Sequence, residues 1–214
     1  MRSPVLGARI ARLLVGLGLY GVAEGLMVLA GIGVGPWTVF AQGVSRHTGI
    51  GLGWLANLIG LAVLVLWIPL RQRPGVGTVL NVLLVGTAIE ATVDLLPAPH
   101  ALLVRIPLFA VGLALLAVAS GLYLGAGFGP GPRDGLMTGL HRRTGLPLWL
   151  ARAIVEVSVL VVGWVLGGNV GVGTVAFALG VGPLVGFFVP RLTTVAATPA
   201  RIVPVASGPC PSSS

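Results

Sequence analysis

The sequence predicts an all-α, polytopic membrane protein, on three observations: few charges, six long apolar stretches and an internal repeat. Of the 214 residues, 56% are hydrophobic and 8% are charged, and the mean hydropathy is +1.03. Soluble domains carry about a quarter charged residues, so water is not the main solvent of this chain. Helices are predicted because barrel strands would alternate polar and apolar residues, and these stretches do not.

Each of the six apolar stretches is long enough to cross about 30 Å of hydrocarbon, which takes roughly 20 helical residues. They are predicted at residues 9–29, 51–70, 78–96, 103–125, 147–166 and 174–190. The predicted organisation follows from them: a cytoplasmic N-terminus (1–8), a first membrane repeat (9–96), a linker (97–102), a second membrane repeat (103–192) and a disordered cytoplasmic tail (193–214).

The arginines predict the orientation. All 13 basic residues are Arg and the net charge is +8, but they are scattered between apolar stretches and form no nucleic-acid-binding patch. With the N-terminus inside, only Arg46 and Arg105 would lie on the outer side, and the other eleven would face the cytoplasm. This excess follows the positive-inside rule and predicts that both termini are cytoplasmic.

The internal repeat appears when the chain is compared with itself at a shift of 96 residues, ungapped from Arg9 to Gly86. GIGVGP (31–36) then matches GFGPGP (127–132), and GVGTV (75–79) matches GVGTV (171–175). Because three spans reverse the chain direction, the second half is predicted to be inverted in the membrane, as in many secondary transporters. The first span resembles a cleavable signal peptide, but its internal counterpart, the fourth span, predicts that it is retained.

Two short segments follow the glycine-rich breaks, PWTVFAQGVSRHTG (36–49) and PRDGLMTGLHRRTG (132–145). Proline at the first helical position favours a helix start, yet about ten residues are too few to cross the bilayer. Residues 36–46 and 132–142 are therefore predicted as either re-entrant or interfacial helices. The predicted helix breaks are Gly35, Pro36, Gly131 and Pro132, with Thr78 and Thr174 as N-caps of the third and sixth spans.

These same segments carry a family resemblance. GVGPWTVFAQGVSRHTG, GPRDGLMTGLHRRTG and ARAIVEVSVLVVGWVLGGNVGVGTVAFALGVGPLV resemble the YczE/YitT-like family of bacterial integral membrane proteins. The resemblance covers about residues 10–190, and GPRDGLM and GGNVGVGT are its most specific parts. It implies a fold type and a place in the bacterial cytoplasmic (inner) membrane, and it does not imply a substrate.

Ionisable side chains within the spans are the candidates for a substrate site or path, because a charge at a helix centre costs about 2.5–3.5 kcal/mol to insert. The candidates are Arg133, Asp134, Arg152, Glu156, Glu24, Glu90 and Asp94. Arg133 and Asp134 begin the second short helix, where an anion would be favoured; alternatively, Arg133 pairs with Asp134 or a lipid phosphate. Arg152 and Glu156 share a helical face, and either neutralise each other or line a polar path.

Glu24, Glu90 and Asp94 are predicted in the outer half of the membrane, where a cluster of them would bind a proton or a cation. The alternative is that Asp94 is simply interfacial, paired with Arg105. The five tryptophans (Trp37, Trp54, Trp67, Trp149 and Trp164) fall mostly near span ends and are expected to be interface anchors.

Inverted repeats, paired breaks and intramembrane charges favour a small-solute transporter or permease of unknown substrate. The alternative is a non-transporting membrane scaffold or accessory protein. An enzyme is not expected, since no nucleophile–base pair is visible. No metal or cofactor is expected, because CxxC and HExxH motifs are missing, and the lone Cys210 excludes an internal disulfide. The expected partners are the lipid bilayer and an unknown small solute, with homo-oligomerisation left open.

Overall fold

The computed structural model describes residues 3–193, so most of the predicted tail, including Cys210, lies outside the described residues. The described chain folds into α-helices joined by short breaks. In chain order they are α1 (Ser3–Ala30), α2 (Pro36–Thr48), α3 (Leu52–Trp67), α4 (Val76–Leu95), α5 (Leu102–Gly125), α6 (Pro132–Thr144), α7 (Leu148–Val165) and α8 (Val172–Leu192).

Five of these helices are long and apolar enough to cross a membrane: Leu6–Ala30 within α1, and α4, α5, α7 and α8. A sixth span exists if α2 and α3 are counted together, although the chain bends by 114° between them. The predicted span 51–70 is shorter than expected, because α3 ends at Trp67. Pro69 follows closely, where a missing backbone N–H ends helical hydrogen bonding, and Arg71 takes a left-handed φ of 52°.

The local backbone recurs at the 96-residue shift found in the sequence. Three pairs of helices begin at equivalent positions, Pro36 with Pro132, Leu52 with Leu148 and Val76 with Val172. Left-handed glycines recur as well, with φ values of 63° and 72° at Gly31 and Gly127, and of 114° and 116° at Gly33 and Gly129. Only glycine takes such φ values at little cost, which accounts for glycine at both members of each pair.

α1 and α5 lie antiparallel at the centre, joined at both ends by arginine. Arg9, near the start of α1, donates two hydrogen bonds of 3.0 and 2.9 Å to the carbonyl oxygen of Ala126, after α5. Arg105, near the start of α5, donates to Ala30 at 2.5 Å and to Gly31 at 2.6 Å, at the end of α1. The two sets of contacts occupy equivalent positions of the repeat.

The glycine-rich breaks also exchange contacts between the halves. The backbone N–H of Gly77 in α4 donates to Phe128 in the second break, at 3.0 Å. At the equivalent positions, the N–H of Gly173 in α8 donates to Ile32 in the first break, at 2.8 Å. Each break therefore packs against the start of the other half's last helix.

The prediction that Thr78 and Thr174 are N-caps was wrong. The helices begin two residues earlier, so Gly75 and Gly171 are the N-caps and each threonine is the third helical residue. Its hydroxyl accepts the N-cap N–H, at 3.2 Å in α4 and 3.3 Å in α8. Glycine has no side chain to cap the helix, so threonine reaches back in its place. Thr78 also donates to the carbonyl oxygen of Pro130 at 2.7 Å, which ties α4 to the second break.

The last two helices of each half pack differently. α3 packs closely on α4, with the Cα of Gly53 against Gly86 and Glu90. α7 packs instead on α2, where Gly163 lies against Val39 and Phe40, and within the described chain it has no substantial interface with α8. Only 11% of each of the α7 and α8 spans is buried, against 56% of the α1 span. These two helices therefore form the periphery.

Candidate functional site

A cavity of about 110 Å³ lies where α2 and α6 begin. It has room for several water molecules, since one needs about 10–15 Å³ on this measure. Both helix breaks border it, together with residues from the middle of α1, α3, α4 and α8. Its polar and aromatic lining comprises Tyr20, Trp37, Asn57, Asn81, Tyr123, Arg133, Asp134, Arg152, Glu156 and Phe177.

Both short helices point their N-termini at this cavity. Each starts with proline after an extended glycine N-cap, Gly35 at φ −64° and ψ 158° and Gly131 at φ −63° and ψ 160°. Neither N-cap offers a side-chain hydrogen bond. The first-turn N–H groups of a helix lack intrahelical partners and carry a partial positive charge. Two such ends at one cavity favour negative charge there.

Arg133 and Asp134, the first predicted pair, both line the cavity but contact other residues. The Arg133 guanidinium lies 5.3 Å from the centroid of the Trp37 ring, within cation–π range. One carboxylate oxygen of Asp134 accepts the Tyr123 hydroxyl at 3.3 Å. Among the described residues, Arg133 has no carboxylate within ion-pair distance, so its charge is available to a ligand.

Arg152 and Glu156 form the ion pair that their spacing on α7 predicts. Nε of Arg152 lies 3.0 Å from Oε1 of Glu156. Both residues line the cavity, and their side chains are 53% and 31% exposed. This pair is therefore accessible to a molecule in the cavity.

The other three predicted acids have separate surroundings. Glu24 is 1% exposed and its Oε2 accepts the Thr38 hydroxyl at 2.7 Å, whereas its Oε1 has no hydrogen-bond partner. Glu90 accepts the N–H of Gly53 at 2.7 Å and so stabilises the start of α3. Asp94 is exposed. Within residues 3–193, no three side chains of His, Cys, Asp or Glu are grouped so that they could hold a metal ion.

Two tryptophans were misassigned as interface anchors. Trp67 is 2% exposed and donates to the Pro132 carbonyl oxygen at 3.0 Å; Trp37 is 7% exposed, and its Nε1 has no partner. Trp54, Trp149 and Trp164 are exposed, as expected of anchors. The repeat could have indicated that Trp37 lies at the site, because Trp37 occupies the position equivalent to Arg133. The two side chains stack on each other.

Sequence reasoning also missed the two tyrosines of the cavity. Tyr20 in α1 and Tyr123 in α5 pack edge to face, with ring centroids 6.0 Å apart. Nothing in the local sequence distinguishes them from other apolar helix residues, because their role depends on how α1 and α5 cross. They place two hydroxyl groups among the charged residues of the cavity.

Long apolar helices around a small polar cavity define a multi-pass integral membrane protein. The chain belongs to the family of unknown function DUF6198, whose model matches residues 7–190. The resemblance to YczE is confirmed: the uncharacterised membrane protein YczE of Bacillus subtilis is 33% identical, over 75% of each chain. An uncharacterised protein of Haemophilus influenzae is 41% identical, over 84% of this chain and 82% of its own.

A more distant relative is the uncharacterised protein YyaS of Bacillus subtilis, which is 23% identical over 82% of this chain and 90% of its own. No solved structure matches the chain.

Proposed function

We propose that the protein is a small-solute transporter of the cytoplasmic membrane, built from two inverted repeats, and that the cavity between α2 and α6 holds the solute. The observation that carries this proposal is the convergence of two helix N-termini, Arg133 and Arg152 on one polar cavity inside an apolar bundle. Discontinuous helices whose N-termini face a substrate near the bilayer midplane are a known transporter design.

Inversion of the halves is supported by the equivalent contacts of Arg9 and Arg105 at opposite ends of the antiparallel α1 and α5. α2 and α6 would then enter from opposite sides as re-entrant helices, since their first turns are buried or half-buried and their ends at Thr48 and Thr144 are exposed. The positive-inside rule places both termini in the cytoplasm, with Thr48 outside and Thr144 inside.

Cysteine labelling tests this topology. Thr48→Cys and Thr144→Cys, each in a Cys210→Ser background, occupy equivalent exposed positions. An impermeant maleimide should label position 48 in intact cells and position 144 only after permeabilisation. Labelling of both from the same side would rule out inversion of the halves.

The charges of the cavity favour a solute that carries an anionic group. The lining of the cavity holds two arginines and two acids, Arg152 with Glu156 and Arg133 with Asp134, so their formal charges cancel. Glu156 forms an ion pair with Arg152. Among the described residues Arg133 forms no ion pair and is stacked on Trp37, while Asp134 accepts the Tyr123 hydroxyl. The two helix N-termini add partial positive charge to the cavity, and this charge favours an anionic group. Arg133 is therefore the residue we expect to contact the anionic group.

Uptake into proteoliposomes across a panel of small metabolites tests the function. Loss of a charge-assisted hydrogen bond costs about 1.5–3 kcal/mol, so Arg133→Ala should reduce uptake of a transported anion by about tenfold or more. Glu156→Gln should also alter flux. Arg142→Ala removes an exposed arginine at the other end of α6 and serves as control. Flux like that of the wild type in both cavity variants would contradict this site.

A non-transporting scaffold is the second candidate, favoured by one surface of α8. Gly182 and Gly186 are exposed, and a Cβ at either position would meet nothing within 4 Å. Small residues four apart allow close helix pairing in membranes, including pairing with a second copy. If this is the function, Gly182→Leu should abolish association in a crosslinking assay, and no solute should be taken up by the wild type.

A further inference from the structure

An apolar groove of about 550 Å³ lies beside the polar cavity. α3 and α7 form its walls, with Leu58, Ala62 and Leu66 on one side and Ile154 and Val159 on the other. Phe40 of α2 contributes to its floor. Among the lining residues, only Ser158 and the indole of Trp37 carry polar side-chain atoms.

The groove opens toward the apolar surface of the bundle. Leu58 and Leu66 are each 51% exposed, and Ile154 is 44% exposed. Within the described chain, α3 and α7 have no substantial interface with each other, so the groove between them is open. In a bilayer, that opening faces lipid hydrocarbon.

The groove and the cavity adjoin each other. Trp37, Ile59 and Val63 line both of them. On the cavity side, Arg133 stacks on Trp37, and the buried Nε1 of Trp37 has no hydrogen-bond partner. A charged, hydrogen-bonding cavity thus adjoins a groove that is apolar apart from Ser158 and the indole of Trp37.

We propose that the molecule bound at this site is a single-chain anionic amphiphile, taken from the surrounding leaflet. Its carboxylate or phosphate lies in the cavity near Arg133, and its acyl chain lies in the groove between α3 and α7. This inference rests on the proposed function and names its substrate class.

The groove between α3 and α7 sets the expected length of the acyl chain. Leu58 and Leu66 are about 12 Å apart along α3, at 1.5 Å per residue, which suits a medium-length acyl chain. The cavity has room for a simple head group, since it can hold several water molecules. Decanoate is therefore the probe of choice.

Equilibrium binding of radiolabelled decanoate to the purified full chain in a neutral detergent tests the proposal. Ala62→Phe fills the groove from α3 and Val159→Phe fills it from α7; each should weaken binding by about tenfold or more. Leu61→Phe, on the lipid-facing side of α3 and 54% exposed before substitution, should leave binding unchanged. Arg133→Gln should weaken binding by about tenfold, and Arg142→Gln should not. The circular-dichroism spectrum and unfolding midpoint of the wild type, together with a single symmetric size-exclusion peak, establish that each variant is folded.

Competition separates the alternatives. Unlabelled decanoate should displace the label, whereas acetate and decanol should each need at least about tenfold higher concentration, since each lacks one half of the ligand. Equal competition by acetate, with both groove variants unaffected, would overturn the amphiphile and leave a small-anion transporter. Equal competition by decanol would reduce the interaction to hydrocarbon partitioning and overturn it too.

Competition by a two-chain phosphatidate at the concentration of decanoate would make a bilayer phospholipid the occupant, against the proposal. Saturable uptake of a polar solute without any decanoate binding would likewise overturn the amphiphile and keep the transporter. Absence of both binding and uptake would remove the two together.

Discussion

Trp67 is the side chain that fixes the end of α3 against the start of α6, and its replacement is the sharpest test of the packing. Its indole N–H donates to the Pro132 carbonyl oxygen at 3.0 Å. Its ring also covers Gly135, where any Cβ would collide with it. We expect Trp67→Phe to destabilise the protein moderately and Trp67→Ala severely.

The magnitudes follow from burial. Trp67 is 2% exposed, so Trp67→Ala should lower the free energy of unfolding by about 3–5 kcal/mol, as large-to-small changes of buried aromatic residues do. Trp67→Phe keeps an aromatic ring against Gly135. It loses one hydrogen bond, worth about 1 kcal/mol, and part of the ring volume, for a total of about 1–3 kcal/mol.

Unfolding by sodium dodecyl sulfate in mixed micelles, followed by circular dichroism, measures these differences. Trp54→Ala is the matched control, because Trp54 lies on the same helix and is 54% exposed; it should cost no more than about 1 kcal/mol. If Trp67→Ala and Trp54→Ala shifted the midpoint equally, the packing of α3 on α6 would be refuted.

Three further predictions use the same unfolding measurement. Gly53→Ala should destabilise the protein because its Cβ would meet α4; Gly18→Ala, with nothing within 4 Å, should be neutral or stabilising, and the reverse order would contradict the helix contacts. Glu90→Leu should cost about 1–3 kcal/mol by removing the acceptor of an α3 N–H, and Glu90→Gln less. Arg9→Gln and Arg105→Gln should each cost about 1–3 kcal/mol; a loss at only one of them would show that the two ends of α1 and α5 are not equivalent.

The recurring elements could be predicted from sequence because their causes are local. Glycines at positions 31 and 33 are required by positive φ values of 63° and 114°, and the same requirement recurs one repeat later. Proline marks the start of both short helices for a similarly local reason. The ion pair of Arg152 with Glu156 also follows from helix geometry alone, since residues four apart share a face.

The surroundings of Trp67 and Glu90 depend instead on contacts between different helices. Trp67 was expected at the membrane interface because it ends an apolar stretch, but the close approach of α6 buries it. The bond from Gly53 to Glu90 requires α3 and α4 to pack at their glycines. No pattern within either helix encodes that distance, so the sequence does not predict the backbone partner of Glu90.

The two halves hold their short helices with the same kind of hydrogen bond, but with donor and acceptor exchanged. In the first half, the acid is on the long helix, where Glu24 accepts the hydroxyl of Thr38 in α2 at 2.7 Å. In the second half, the acid is on the short helix, where Asp134 accepts the hydroxyl of Tyr123 in α5 at 3.3 Å.

This exchange has a consequence for the cavity. Asp134 brings its carboxylate to the first turn of α6, beside Arg133, whereas the first turn of α2 carries only the neutral Trp37 and Thr38. Both turns are anchored, yet charge is confined to one of them. A ligand between the two helices therefore meets an ionic side at α6 and an aromatic side at α2, and we expect its charged group to lie toward α6.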